Sequence, residues 1–268
     1  MKTPPLGFTE DNFCAVVRAS DLQAKDIKTE TRRLLTLKSR TQEEVNEITS
    51  FCQDGDGNWI SHFGNTFGDL TELAEFTKKA YPKGSKKGIK SKYQIGDRCY
   101  LTEPTRIVLA PDQSFYYQVE YFWHDPKTIQ KLVTLDDIAK ILGRKTGIYS
   151  KQIARFMLKS FARYWVEITD VRLERLLDIT EEAAIAEGIK THQDLYGEVG
   201  NEPYKWGKTY YFDYMKQVFL GDTTPIQSYL SEIAAIHKAT KDKIGGWDLV
   251  KSNPWVWVYQ FKLVTEQS

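Results

Sequence analysis

Apolar and aromatic positions along this chain fall into short, widely spaced runs, several with the alternation of a strand. The run "WVWVYQFKLV" (255–264) sets Trp255, Trp257, Tyr259, Phe261 and Leu263 against Val256, Val258, Gln260 and Lys262 with a period of two. The runs "FCAVVRA" (13–19), "RCYLTEPTRIVLA" (98–110), "SFYYQVEYFW" (114–123) and "YWVEITDVRLERL" (164–176) share its β-branched and aromatic bias. Helical spacing predicts helices over 42–52, 70–80, 134–142, 150–160, 180–187, 208–219 and 226–240. No internal repeat is visible. "DGDGN" (54–58) reads as a hairpin turn, because Trp59 stands where a calcium loop needs glycine.

Composition narrows the picture. The chain has 268 residues, 41% of them hydrophobic and 13% aromatic, which is enough to bury a sizeable core. Its net charge of +1 argues against binding duplex nucleic acid through a broadly basic surface, and leaves room for a small ligand or one flexible strand. Cys14, Cys52 and Cys99 are sparse and far apart, with no paired-cysteine or paired-histidine spacing, so neither a metal nor another cofactor is expected. The odd count fits a reducing compartment. With no apolar leader and no apolar run of eighteen residues, the expectation is a cytoplasmic protein with no membrane partner.

Two stretches carry candidate chemistry. "IKTETRRLL" (27–35) sets Lys28, Arg32 and Arg33 around Thr29 and Thr31, which favour turns and strands over helices. It reads as a tight corner entering a strand, with a lysine and a hydroxyl close together. "DITEEAAIAEGI" (178–189) reads as a helix capped by Thr180, with Glu181 and Glu182 in its first turn and Gly188 closing it. Glu187 then stands at the helix C-terminus, where the dipole disfavours an anion; it is either solvated there or reaching into a site. The lysine-rich stretch 78–92 reads as a mobile basic loop, either a solvated linker or a nucleic-acid contact. Trp206, Tyr210 and Tyr211 are candidates to stack a base, although core packing is the commoner use of such residues.

Four blocks together resemble the ASCH-domain family of the PUA-like fold, in its long form common in phage and bacterial genomes. They are "KTETRR" (28–33), "IGDRCYLTE" (95–103), "ITDVRLERLLDITEEAAIAEGI" (168–189) and "NPWVWVYQFKLV" (253–264). They fall in family order and span most of the chain. The chain departs from the family pattern at Tyr100, Leu101 and Thr102, before the retained Glu103. It also departs within Met157–Arg163, where Lys159 and Arg163 keep the cationic positions but a proline is lost. The resemblance implies a single domain over 1–268, mainly β with helical decorations. That domain would be a partly open β-barrel with helical or loop insertions near 36–92 and 190–252. Trp255 and Trp257 would seal its interior.

Some small ASCH proteins are amidohydrolases that remove the acetyl group from N4-acetylcytidine with a lysine, a threonine three residues on, and a distant glutamate. By that resemblance the catalytic roles fall on Lys28, Thr31 and Glu187, and Arg32, Arg33, Glu103, Lys159 and Arg163 are candidate substrate-binding residues. The implied reaction is metal-independent hydrolysis of an N4-acylated cytosine or cytidine. Either Thr31 is the nucleophile with Lys28 as its base, or Glu187 activates a water while Thr31 and Lys28 steady the oxyanion. The alternative is a PUA-like module that binds RNA or a modified base without catalysis, with the cations of 28–33 gripping phosphates.

Overall fold

A computed structural model describes residues 5–7, 28–36, 42–53, 59–63, 89–109, 117–122, 131–142, 151–189, 210–220, 222–238 and 244–264. With strands numbered in chain order, the alternating run near the C-terminus is β11 (Trp255–Val264), the spine of the main sheet. It pairs antiparallel with β8 (Trp165–Arg175) along its whole length and with β2 (Glu30–Leu34) on its other side. Beyond β8 lie β5 (Arg98–Thr102) and then β1 (Pro5–Gly7), so the order is β1-β5-β8-β11-β2. The protein is thus mainly β with helical decorations.

The larger side chains of β11 define one apolar face. Trp255, Trp257, Tyr259 and Phe261 pack with Leu35, Tyr93, Leu101, Val166 and Ile168, and both tryptophans are buried. Phe51 meets Trp255, and Tyr93 meets Tyr259, edge to face with ring centres 4.8 and 5.1 Å apart. The sheet curls around this core until its two edges approach. Arg33 on β2 donates to the Gly7 carbonyl on β1 at 2.6 Å, and the Tyr93 hydroxyl donates to the Pro5 carbonyl at 2.8 Å. Among the described residues no backbone ladder joins β1 to β2, so the sheet is curled and open rather than a closed barrel.

Helices cover the opposite face. Helix α3 (Glu181–Ala186), with helices likewise numbered in chain order, starts at Thr180, whose hydroxyl accepts the Ala183 N–H at 3.2 Å. Gly188 ends it at φ +76°, a conformation that favours glycine. Helix α4 (Pro225–Ile236) opens with a reciprocal Thr224–Gln227 capping box, and α5 (Gly246–Lys251) packs beside it. Leu176, Ile179, Ala184, Tyr229, Ile233 and Val250 form a second apolar cluster with Val256 and Val258 of β11. A third cluster, with Ile107, Val119, Ile141 and Phe161, adjoins the sheet through Trp165. It lies under the β6 (Thr105–Leu109)–β7 (Tyr117–Tyr121) hairpin and α2 (Leu135–Leu142).

Several expectations need correction. Within 42–52 only α1 (Gln42–Asn46) is helical; β3 (Ile48–Gln53) follows and pairs with β4 (Trp59–Phe63). The reason is the load of β-formers from Ile48 onward, with Phe51 and Trp59 drawn against the sheet's tryptophans. The described part of 36–92 therefore adds a short helix and a hairpin whose buried Val45 and Ile48 join the main core, instead of helical or loop additions outside it. The predicted helix over 208–219 is the hairpin β9 (Tyr211–Asp213)–β10 (Val218–Leu220). Asp213 turns it by accepting the N–H groups of Met215 and Lys216, with Gln217 at φ +60°. Pro104 divides the run 98–110 into β5 and β6, and 150–160 contains short 3-10 turns. The predicted strand over 13–19, the helix over 70–80, the turn at 54–58 and most of the lysine loop, 78–88, lie outside the described residues.

No helix among the described residues is long and apolar enough to cross a membrane. Cys99 is buried, and burial, followed by nearby Asp97, pushes its thiol up to about 12. It stays protonated at neutral pH and is a poor nucleophile. With Cys14 and Cys52 changed to Ser, Ellman's reagent should titrate the native protein at least about a hundredfold more slowly than the denatured chain. Equal rates would show that the Cys99 region opens freely.

Candidate functional site

Alternation divides the side chains of β2 between two buried environments. Glu30, Arg32 and Leu34 stand opposite Gln260, Val258 and Val256 of β11, on the face covered by helices. Thr31 and Arg33 stand opposite Tyr259 and Trp257, on the aromatic face. Neighbouring β8 brings Asp170, Arg172 and Glu174 to the helix-covered side, opposite Gln260, Val258 and Val256. Charged residues of β2 and β8 therefore flank the valines and Gln260 of β11 on a face where apolar residues would be expected.

The chain just before β2 docks on the end of α3. The Thr29 N–H donates to the Ala186 carbonyl at 3.0 Å, and the Phe261 N–H donates to the Thr29 carbonyl at 2.9 Å. This fixes Lys28 beside Glu187, 159 positions away in sequence, with Nζ 2.9 Å from Oε2. Lys28 Nζ also donates to the main-chain carbonyl of Glu187. The two side chains are only 1% and 4% exposed. The unfavourable position of Glu187 on the helix dipole now has its explanation: one ammonium neutralises both the carboxylate and a terminal carbonyl.

Arg32 connects this pair to the strand charges. Its guanidinium lies 3.3 Å from Glu187 Oε1, 2.5 Å from Glu30 Oε1 and 3.2 Å from Glu174 Oε2. Arg172 closes the network, pairing with Glu30 and Asp170 at 2.9 Å each and bonding Glu174; Gln260 donates to Glu30 at 3.0 Å. Burial opposes the charge on Arg32, but Glu187 and Glu30, then Tyr229 and Glu174, outweigh it and raise its pKa. Burial likewise opposes the charge on Arg172, whose bonds to Glu174, Glu30 and Asp170 raise its pKa further. Removing charges from water is expensive, so this density of pairs needs near-complete mutual satisfaction.

Tyr229 of α4 lies over the network and is 2% exposed. Its hydroxyl has no hydrogen-bond partner among the described residues, a condition that costs about 1–3 kcal/mol for a buried polar group. Burial first, and Glu187 next, hold the phenol well above its ordinary pKa, while Arg32 acts the other way.

Of the residues singled out in the sequence, Lys28, Arg32 and Glu187 come together. Thr31 is buried, but strand parity turns it to the aromatic face, and the bonds described for Glu187 run to Lys28 and Arg32. Arg33 also leaves the network, for Gly7. Glu103 and Arg163 form a separate buried pair, with Nε donating to Oε1 at 2.8 Å and the guanidinium 4.1 Å from the Tyr121 ring centre. Lys159 is exposed on a 3-10 turn, 5.2 Å from the Trp165 ring. Tyr210 and Tyr211 are half-buried, Tyr211 against the helix-side cluster, and Trp206 lies outside the described residues.

Sequence reasoning missed Glu30, Arg172, Glu174 and Tyr229. Asp170, Arg172 and Glu174 do alternate in "DVRLE", a visible sign of one charged strand face; nothing local marks Tyr229. Among the described residues no group of three or more His, Cys, Asp or Glu side chains is placed to hold a metal ion. Comparison with protein-family models, curated proteins and solved structures finds no match to this chain.

Proposed function

We propose that this chain is an ASCH-type, PUA-like cytoplasmic amidohydrolase that cleaves N4-acylated cytosine or cytidine to the free base or nucleoside and a carboxylic acid. The observation that carries the reading is the buried Lys28–Glu187 pair, which joins two sequence blocks 159 positions apart. These are two of the three residues to which the family resemblance gives catalytic roles.

The chemistry follows from what each group can exchange. Glu187 accepts a proton from water as the water oxygen bonds to the acyl carbon. The carbonyl electron pair moves onto the acyl oxygen, next to the Lys28 ammonium and the Arg32 guanidinium. When that pair returns, the C–N4 bond breaks and N4 takes the proton held by Glu187. The products are a carboxylic acid and a neutral amine. The water route is preferred over attack by Thr31, whose hydroxyl faces the other side of β2.

The test is release of cytidine from N4-acetylcytidine by pure protein, with and without EDTA. Lys28→Ala and Glu187→Gln should each lower kcat by at least about a hundredfold per folded molecule, folding being checked by circular dichroism. Thr31→Val should cost less than about tenfold, since it removes a hydroxyl outside the network. A total loss in Thr31→Val would restore the threonine nucleophile. No hydrolysis of any N4-acylcytidine by the wild type, together with salt-sensitive RNA binding, would replace the enzyme with a base-reading module.

A further inference from the structure

Phenylalanine would fill the place of the Tyr229 ring without burying a hydroxyl that finds no partner among the described residues. The ring packs in one apolar cluster with Ala184 of α3 and with Val256 and Val258 of β11. Val258 stands in register between Arg32 on β2 and Arg172 on β8, so the phenol is held between the end of α3 and the charged residues of these strands. Its charged surroundings are Glu187, Arg32, Glu232 and Glu30. Burial first, and then the carboxylates against the opposing pull of Arg32, keep it protonated at neutral pH and hence a hydrogen-bond donor.

Arg32 Nε is a second buried donor without a hydrogen-bond partner among the described residues. Both oxygens of Glu187 are engaged, by Lys28 and Arg32. Glu30 Oε1, in the same network, is a buried acceptor without a hydrogen-bond partner among the described residues although Arg32 Nη1 lies 2.5 Å away, so the unmatched donors of the network exceed its unmatched acceptor by one. The excess donor suits an acceptor that arrives from outside, is neutral when it binds, and gains negative charge during reaction. A carbonyl oxygen undergoing addition has those properties.

We propose that Tyr229 is a catalytic residue whose hydroxyl, together with the unpartnered Arg32 Nε of the same network, donates to the acyl oxygen of the N4-acylcytosine substrate. The assignment rests on the hydrolase reading above. Tyr229 keeps its proton throughout. Its hydrogen bond strengthens as the carbonyl electron pair moves to oxygen on water addition, and relaxes when that pair returns, the C–N4 bond breaks and N4 takes the proton from Glu187.

Tyr229→Phe tests this, because it preserves the packed ring and removes one oxygen. The expected result is a kcat on N4-acetylcytidine lower by about a hundredfold, with KM within about threefold of wild type. Cytidine binding, which involves no acyl oxygen, should be unchanged, and the thermal midpoint equal to or above that of wild type. Unchanged kcat overturns the role of Tyr229 and leaves the hydrolase reading standing. A lower thermal midpoint with weaker cytidine binding makes the residue structural and also overturns it. A wild type that releases no cytidine overturns both.

Discussion

Glu187→Leu and Lys28→Met should each destabilise the protein by about 3–5 kcal/mol, while the double variant falls within about 2 kcal/mol of wild type. Each single change leaves a charge deep in the protein beside an apolar group. Glu187→Leu removes the carboxylate that meets both Lys28 and Arg32, and Lys28→Met leaves Glu187 with Arg32 at 3.3 Å. Removing both charges together replaces two desolvated ions by side chains of similar volume, which is often close to neutral. Urea denaturation of the four proteins yields the coupling energy directly. Additive losses would mean that the pair is not coupled. The double variant also separates the two meanings of the site, since it should be folded and yet inactive on N4-acetylcytidine.

Arg163→Met should be comparably damaging, by about 3–5 kcal/mol, without a specific effect on turnover per folded molecule. Arg163 grips Glu103 through Nε and Nη2, and Glu103 is 0% exposed. Its guanidinium also lies over the Tyr121 ring, whose hydroxyl is tied to the Phe161 carbonyl at 2.7 Å. Arg163→Lys should restore little, because an ammonium cannot reproduce a two-point grip and a stacked plane. The paired measurements are urea unfolding and kcat for N4-acetylcytidine at a temperature where the variant is folded. A selective loss of kcat or a raised KM would return Glu103 and Arg163 to the substrate site, where the family resemblance set them.

The elements legible in the sequence are those whose cause is local. The run 255–264 alternates so regularly that its strand and its larger, buried face could be read directly. The helix at 180–187 was bounded by a threonine cap and a closing glycine, and both act within one turn of chain. The sequence also marked Lys28 and Glu187, one for its company of hydroxyls and cations, the other for being on the wrong end of a helix.

What the sequence could not decide depends on partners far along the chain. Residues 48–53 and 211–220 have enough helical spacing to mislead; they are strands because each finds a second strand and a surface to cover. Both sides of β2 are buried, so its pattern could not tell which side holds the aromatic core, and Thr31 and Arg32 exchange meaning with that choice. Tyr229 acquires its place only when α4 packs over the charged residues of β8 and β2. Glu187 escapes the penalty of its position only because folding brings Lys28 to it across 159 residues. Periodicity and capping are written within a few residues; strand register and buried charge pairing exist only after the chain has closed its long loops, and the tertiary structure alone decides them.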